Sequence, residues 1–114
     1  YKRQTNNWPM PLGGNVVRRD LGEDVMQDIT KYTKMSIEYA LASPDEALEF
    51  AKAWGRGIDD DTNREFVGMY VNDRTIDYKE EGRASIRQFI SEGQEIGLIR
   101  GDFDTGAMRF IGEP

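Results

Sequence analysis

Apolar residues recur every three or four positions through three stretches of the chain, and each stretch predicts an amphipathic helix. The first, about residues 21–42, aligns Val25, Ile29, Tyr32, Ser36, Ile37, Ala40 and Leu41 on one face. Its other face carries Asp28, Lys31, Lys34 and Glu38. The second, about 44–54, turns Ala47, Leu48, Ala51 and Trp54 inward before Gly55-Arg56-Gly57 stops it. The third, about 78–96, places Ile86, Phe89, Ile90 and Gly93 inward. Each helix opens with a short polar side chain three residues before a Glu: Asp20 and Glu23, Ser43 and Glu46, Asp77 and Glu80. That spacing predicts a capping box, which satisfies N–H groups that lack a partner at a helix start. Pro44 strengthens the Ser43 case, because proline is favoured at the first helical position.

Shorter apolar runs predict strands. Phe66-Val67-Gly68-Met69-Tyr70-Val71 is continuous in apolar character, as expected of a strand buried on both faces. Val16-Val17-Arg18 and Met108-Arg109-Phe110 predict two shorter ones. Between the elements, Asp59-Asp60-Asp61-Thr62-Asn63 forms an acidic connection and Asn72-Asp73-Arg74-Thr75 a loop. The expected fold class is α/β, with three main helices and two or three short strands. Residues 1–8 are polar and expected to fray. Residues 9–100 make the folded portion, and the Gly-spaced residues 101–114 an irregular tail.

Composition restricts the chemistry. The chain has 114 residues, 38% hydrophobic, with four Pro, which is the make-up of one small globular domain. It has no His and no Cys, so disulfides, zinc fingers, thiol nucleophiles and His-based general bases are excluded within it. With 15 Lys+Arg against 21 Asp+Glu the formal charge is −6, which disfavours nucleic acid as a partner. No apolar run approaches the ~20 residues of a membrane span, and no signal peptide is visible. The expected compartment is a soluble, reduced one, with no membrane partner.

Few motifs survive inspection. An EF-hand starting at Asp59 would need Gly at its sixth position and Glu at its twelfth, where Arg64 and Tyr70 stand. Gly93 and Gly97 predict close packing or a helix end. Arg18-Arg19 reads as an exposed basic pair, with an anion contact as the alternative. Two places carry more. In Pro9-Met10-Pro11-Leu12-Gly13-Gly14-Asn15, a rigid entry leads into paired glycines whose backbone groups stand clear of side chains. Such a segment serves either as a tight turn or as a ligand grip. Tyr70-Val71-Asn72 ends the longest predicted strand, where open α/β sheets place their binding crevice. The alternative is a packed Tyr and a turn-forming Asn.

At these two places the chain resembles a known family. Pro9-Met10-Pro11-Leu12-Gly13-Gly14-Asn15-Val16-Val17-Arg18-Arg19-Asp20-Leu21-Gly22 is similar to a segment of the 1,4-dihydroxy-6-naphthoate synthases of the futalosine route to menaquinone. Ser36-Ile37-Glu38-Tyr39-Ala40, Asp45-Glu46-Ala47, Met69-Tyr70-Val71-Asn72, Arg74-Thr75-Ile76-Asp77-Tyr78 and Glu81-Gly82-Arg83 follow in family order, from about residue 8 to 100. The resemblance implies part of a type II periplasmic-binding-protein-like fold, with two α/β lobes around a cleft. It implies a cytoplasmic lyase that makes 1,4-dihydroxy-6-naphthoate from cyclic dehypoxanthine futalosine without metal or organic cofactor. In the family a His upstream of the Pro-x-Pro-Leu-Gly-Gly segment acts as base, so this chain is expected to be a C-terminal portion, inactive alone. No catalytic residue is then expected here. Leu12, Gly13, Gly14 and Tyr70 match cleft positions and are expected to hold the small-molecule substrate. Asn15 and Asn72 join them by polarity and position. Lys79 departs from the family pattern, in which a small residue, usually Gly, follows Tyr78.

Two further readings come from other classes. One is a solute-binding lobe without catalysis, set apart by the Leu-Gly-Gly-Asn and Met-Tyr-Val-Asn pair. The other is a helical interaction module whose strands pair only within an oligomer. A part of a cleft enzyme would also expose surface that its missing lobe covers, so self-association, or pairing with that lobe, is expected.

Overall fold

The computed structural model describes residues 7–55 and 57–112. Among the described residues five α-helices follow one another: α1 (Glu23–Ala42), α2 (Pro44–Lys52), α3 (Asp60–Tyr70), α4 (Asp73–Ile76) and α5 (Lys79–Glu95). Short 3₁₀ turns occupy Arg19–Leu21 and Thr105–Ala107. Among the described residues there is no strand, so the expected α/β, periplasmic-binding-protein-like fold is corrected to an all-helical one. Nor is any described helix long and apolar enough to cross a membrane.

The three helices expected from apolar periodicity form as α1, α2 and α5, within a few residues of the expected bounds. The strands do not form. Phe66–Tyr70 is the C-terminal half of α3, which Asp59 starts from the N-cap position. Its two carboxylate oxygens accept from the Thr62 N–H at 2.9 Å and the Thr62 hydroxyl at 2.8 Å. Asp60 and Asp61 then occupy the first turn, where the helix dipole favours negative charge. A short apolar run is ambiguous between helix and strand, and here the cap upstream decides. Val16-Val17-Arg18 and Met108-Arg109-Phe110 stay extended or irregular; a strand needs a neighbour to bond, and none exists among the described residues.

The chain divides into two compact units: Val17–Asp77, and Tyr1–Val16 together with Tyr78–Pro114. In the first, α1 packs on α2, on α4 and on the Arg19–Leu21 turn. Its start is not the expected Asp20 cap. Arg18 lies two residues before Asp20 and grips both its carboxylate oxygens, at 2.9 and 2.5 Å, so α1 opens instead from Gly22. The Arg18 guanidinium holds the Asp20 carboxyl below its ordinary pKa. Ser43 precedes α2 but makes no side-chain cap bond. Glu46, the expected partner of that box, accepts from the Tyr39 hydroxyl at 2.8 Å and pushes the Tyr39 pKa up. This bond ties α1 to α2.

The second unit is built on α5. Tyr78, not Asp77, is its N-cap, without a side-chain cap bond. Gly82 and Ser85 are buried. A Cβ on Gly93 would come within 2.6 Å of the Ile99 side chain, and Gly97 (φ 73°) reverses the chain after the helix, so both glycines act as expected. Residues 101–112 fold back along α5. Gln94 Nε2 donates to the carbonyls of Gly101 and Phe103 at 2.7 and 3.2 Å. Arg87 Nη2 donates to the Met108 carbonyl at 3.2 Å, and its guanidinium lies 5.0 Å from the centre of the Phe110 ring. Tyr78 meets the same ring edge-on at 6.0 Å.

Burial is sparse. Met26 and Leu48 are the buried hydrophobic side chains among the described residues. Much of the face expected to be the core is exposed, including Val25, Ile29 and Tyr32, with Trp54 79% exposed.

Two stability predictions follow from these helix starts. Lys79 opens α5 with φ 55°, in the left-handed region where a side chain crowds its own backbone. A Gly there would relieve this. Lys79→Gly is expected to raise unfolding stability by about 1 kcal/mol in urea titration, and Lys79→Val to lower it. At α3, the Thr62 bonds hold the Asp59 carboxyl below its ordinary value of 3.8. The folded pKa being depressed, this contribution is full above the unfolded value and fades as pH falls through the folded one. Asp59→Asn should therefore flatten the loss of helical circular dichroism on acidification below that value.

Candidate functional site

The Pro9–Asn15 segment is held at one end from α5. Ser85, fully buried, donates its hydroxyl to the Pro9 carbonyl at 2.5 Å. Proline has no N–H, so its carbonyl is the one backbone group it presents to a partner. Beyond this anchor the segment runs free. Gly13, Gly14 and Asn15 are exposed, and Leu12 is 54% exposed. No hydrogen bond among the described residues engages the backbone of Leu12 to Asn15. Neither Gly13 nor Gly14 has positive φ, so the paired glycines do not make the unusual turn that the sequence suggests. What they supply is access. Nothing lies within 4 Å of a Cβ built on Gly13, and on Gly14 only the Tyr78 hydroxyl, at 3.8 Å. Their donors and acceptors stand open to a ligand.

Tyr70 and Asn72 belong to the Val17–Asp77 unit. Tyr70 is the last residue of α3 and 47% exposed, its ring 5.0 Å from that of Phe66 and tilted 43° to it. Asn72 caps α4. Its side-chain oxygen accepts from the Arg74 N–H at 3.0 Å, while Nδ2 donates to the carbonyls of Gly68 and Met69, both at 3.3 Å. Thr75 closes the box: its hydroxyl accepts from the Asn72 N–H at 3.1 Å and donates to the Tyr70 carbonyl at 2.9 Å. Asn72 thus fixes the backbone on both sides of the α3–α4 junction and so sets the direction in which Tyr70 leaves its helix.

The expected site residues therefore fall into two groups. Leu12, Gly13, Gly14 and Asn15 form one continuous open strip, and Tyr70 and Asn72 form one helix junction in the other unit. Sequence reasoning missed Ser85 and Thr75. Thr75 was legible, since it follows Asn72 at capping-box spacing. Ser85 shows as a small polar residue on the inward face of α5, but its partner lies 76 residues away in sequence and no local pattern names it. Among the described residues, no group of three or more carboxylates is arranged to hold a metal ion.

Comparison with known proteins gives these segments a context. A family model described as "Menaquinone biosynthesis" matches residues 1–95. The chain belongs to this family. It is 36% identical over 90 residues to a 1,4-dihydroxy-6-naphthoate synthase of Thermus thermophilus, covering 79% of this chain and 33% of that protein. To the protein of the same name from Streptomyces coelicolor it is 27% identical over 95 residues, covering 83% of this chain and 34% of that protein. The chain thus spans about a third of the length of the curated relatives it matches. No solved structure matches it significantly. The family match ends at Glu95, so the returning residues 101–112 lie outside it.

The anchor on the open strip yields a prediction. Ser85→Ala removes the donor and leaves the Pro9 carbonyl without its partner, at a cost of about 1 to 2 kcal/mol. Hydrogen exchange is expected to stay slow in the middle of α5, while proteolysis within residues 9–15 becomes faster.

Proposed function

We propose that this chain is the substrate-holding portion of a menaquinone-biosynthesis lyase that converts cyclic dehypoxanthine futalosine to 1,4-dihydroxy-6-naphthoate. The observation that carries this reading is the 36% identity over 79% of the chain to a synthase of that name, beside a family match over residues 1–95 that holds both motif segments. Leu12 offers an apolar contact, and Gly13, Gly14 and Asn15 offer backbone donors and acceptors to the ring and its polar substituents. Tyr70 supplies a ring face and a hydroxyl that can donate or accept. Asn72 positions Tyr70 through the α4 cap. In the family that the chain resembles a His is the base; this chain contains none, so on this reading the base comes from outside it and the chain alone is inactive.

The chain spans a third of its relatives' length, and α1 exposes Val25, Ile29, Tyr32 and Tyr39. Both facts support a reading in which the rest of such a protein covers that face.

A chimera tests the function. The matching segment of the Thermus thermophilus synthase is replaced by this chain's residues. Turnover of cyclic dehypoxanthine futalosine is expected from the chimera and none from the 114-residue chain. In the chimera, Tyr70→Ala should raise KM about tenfold with a smaller change in kcat, the mark of a binding contact. A folded chimera that binds the compound without converting it would favour a solute-binding role instead.

A further inference from the structure

The Leu12–Asn15 strip has a side-chain neighbour in its own unit. Tyr78 stands at the start of α5, half-buried, with its hydroxyl 3.8 Å from the Cβ position of Gly14. Gly14 has no side chain to shield that hydroxyl, which makes no hydrogen bond among the described residues. Nor is it sealed from solvent, because the buried side-chain polar atom without a partner among those residues is Arg87 Nε. A surface phenol open to water is ordinary. Two things set this one apart: its ring is held in place, and the backbone beside it is unengaged from Leu12 to Asn15.

The ring is fixed from two sides. Gly82 lies buried one turn along α5, where a Cβ would come 3.1 Å from Tyr78 Cβ. Phe110 meets the ring edge-on at 6.0 Å. Phe110 is held in turn by Arg87, whose guanidinium lies 5.0 Å from the ring centre and whose Nη2 donates to the Met108 carbonyl at 3.2 Å. Arg87 Nε stays buried without a partner, so this clamp is kept at the cost of a hydrogen bond. The outcome is a hydroxyl whose direction is set before anything binds. Such a group gives up little freedom on making a contact, and it can donate as well as accept.

We infer that Tyr78 is a further substrate contact on the Leu12–Asn15 strip, donating its hydroxyl to an acceptor oxygen of the compound held there, with Phe110 as its positioning residue. The inference rests on the reading of that strip as substrate-holding, and it deepens that reading in one respect. Affinity then depends on residues 101–112, which lie outside the family match.

The test is equilibrium binding of cyclic dehypoxanthine futalosine to the whole 114-residue chain, followed by amide NMR. Saturable shifts of the Gly13 and Gly14 amides are expected. Tyr78→Phe keeps the ring and should weaken binding about fivefold, the loss of one hydrogen bond. Phe110→Ala should weaken it to a similar extent and the double variant no further, because both changes remove the same contact. Phe110→Tyr keeps the ring and should bind as the unaltered chain does. Should Phe110→Ala unfold, Phe110→Leu, which keeps an apolar cover without the ring, takes its place. Unchanged affinity in Tyr78→Phe, additive losses in the double variant, or no saturable shift at Gly13 and Gly14 would overturn the inference. The reading beneath it is judged apart, by turnover of the chimera. Turnover beside any of those results sinks the inference and leaves the reading standing; binding that needs Tyr78, beside a chimera without turnover, does the reverse.

Discussion

Local backbone hydrogen bonding is the interaction on which this chain depends. With Met26 and Leu48 as the buried hydrophobic side chains among the described residues, apolar burial holds together little of what is seen. Each helix therefore relies on its own ladder and on how its ends are finished. Asp59 finishes α3 and Asn72 finishes α4 by accepting backbone N–H groups. Gly22, Tyr78 and the Ser43-Pro44 pair start the other helices without any side-chain cap bond. Those three starts rest on backbone geometry alone, and at Lys79 that geometry is strained.

Side-chain bonds between elements then do what a larger core would do elsewhere. Tyr39 to Glu46 links α1 with α2, and Lys52 to Asp60 and Arg64 to Asp45 link α2 with α3. These groups are exposed, so solvent and salt weaken each of them. In the α5 unit the equivalent joints are more sheltered. Ser85 holds the Pro9 carbonyl from a fully buried position, and Arg87 reaches both the Met108 carbonyl and the Phe110 ring. The open strip from Leu12 to Asn15 begins immediately beyond the Ser85 anchor. It combines a fixed entry with unengaged backbone groups, which is what a contact surface for a polar ligand requires.

The candidate site was legible in the sequence to different depths. Gly13 and Gly14 announced accessible backbone, and the structure keeps them accessible, although not through the left-handed turn that paired glycines suggest. Asn72 was read as either a ligand contact or a turn former. Its side chain is engaged with the backbone of Gly68, Met69 and Arg74, so its local role is to shape the junction that carries Tyr70. Asn63, read as part of an acidic connection, became the most buried polar side chain of its unit because the connection is in fact the first turn of a helix.

By itself the sequence determined α1, α2 and α5, because a period of three to four residues is a local property that a chain carries wherever it folds. It also determined family membership, through the specific segments around Leu12–Asn15 and Tyr70–Asn72. Tertiary structure alone decided the state of Val16–Arg18 and Met108–Phe110, whereas the Asp59 cap made Phe66–Tyr70 helical. A strand exists only where a second one satisfies its N–H and C=O groups, and no window of sequence contains that partner. Near neighbours in the chain decided which acidic side chains cap and which form ion pairs. Asp20 and Asp59 share the same chemistry, but Arg18 stands beside one and Thr62 faces the other.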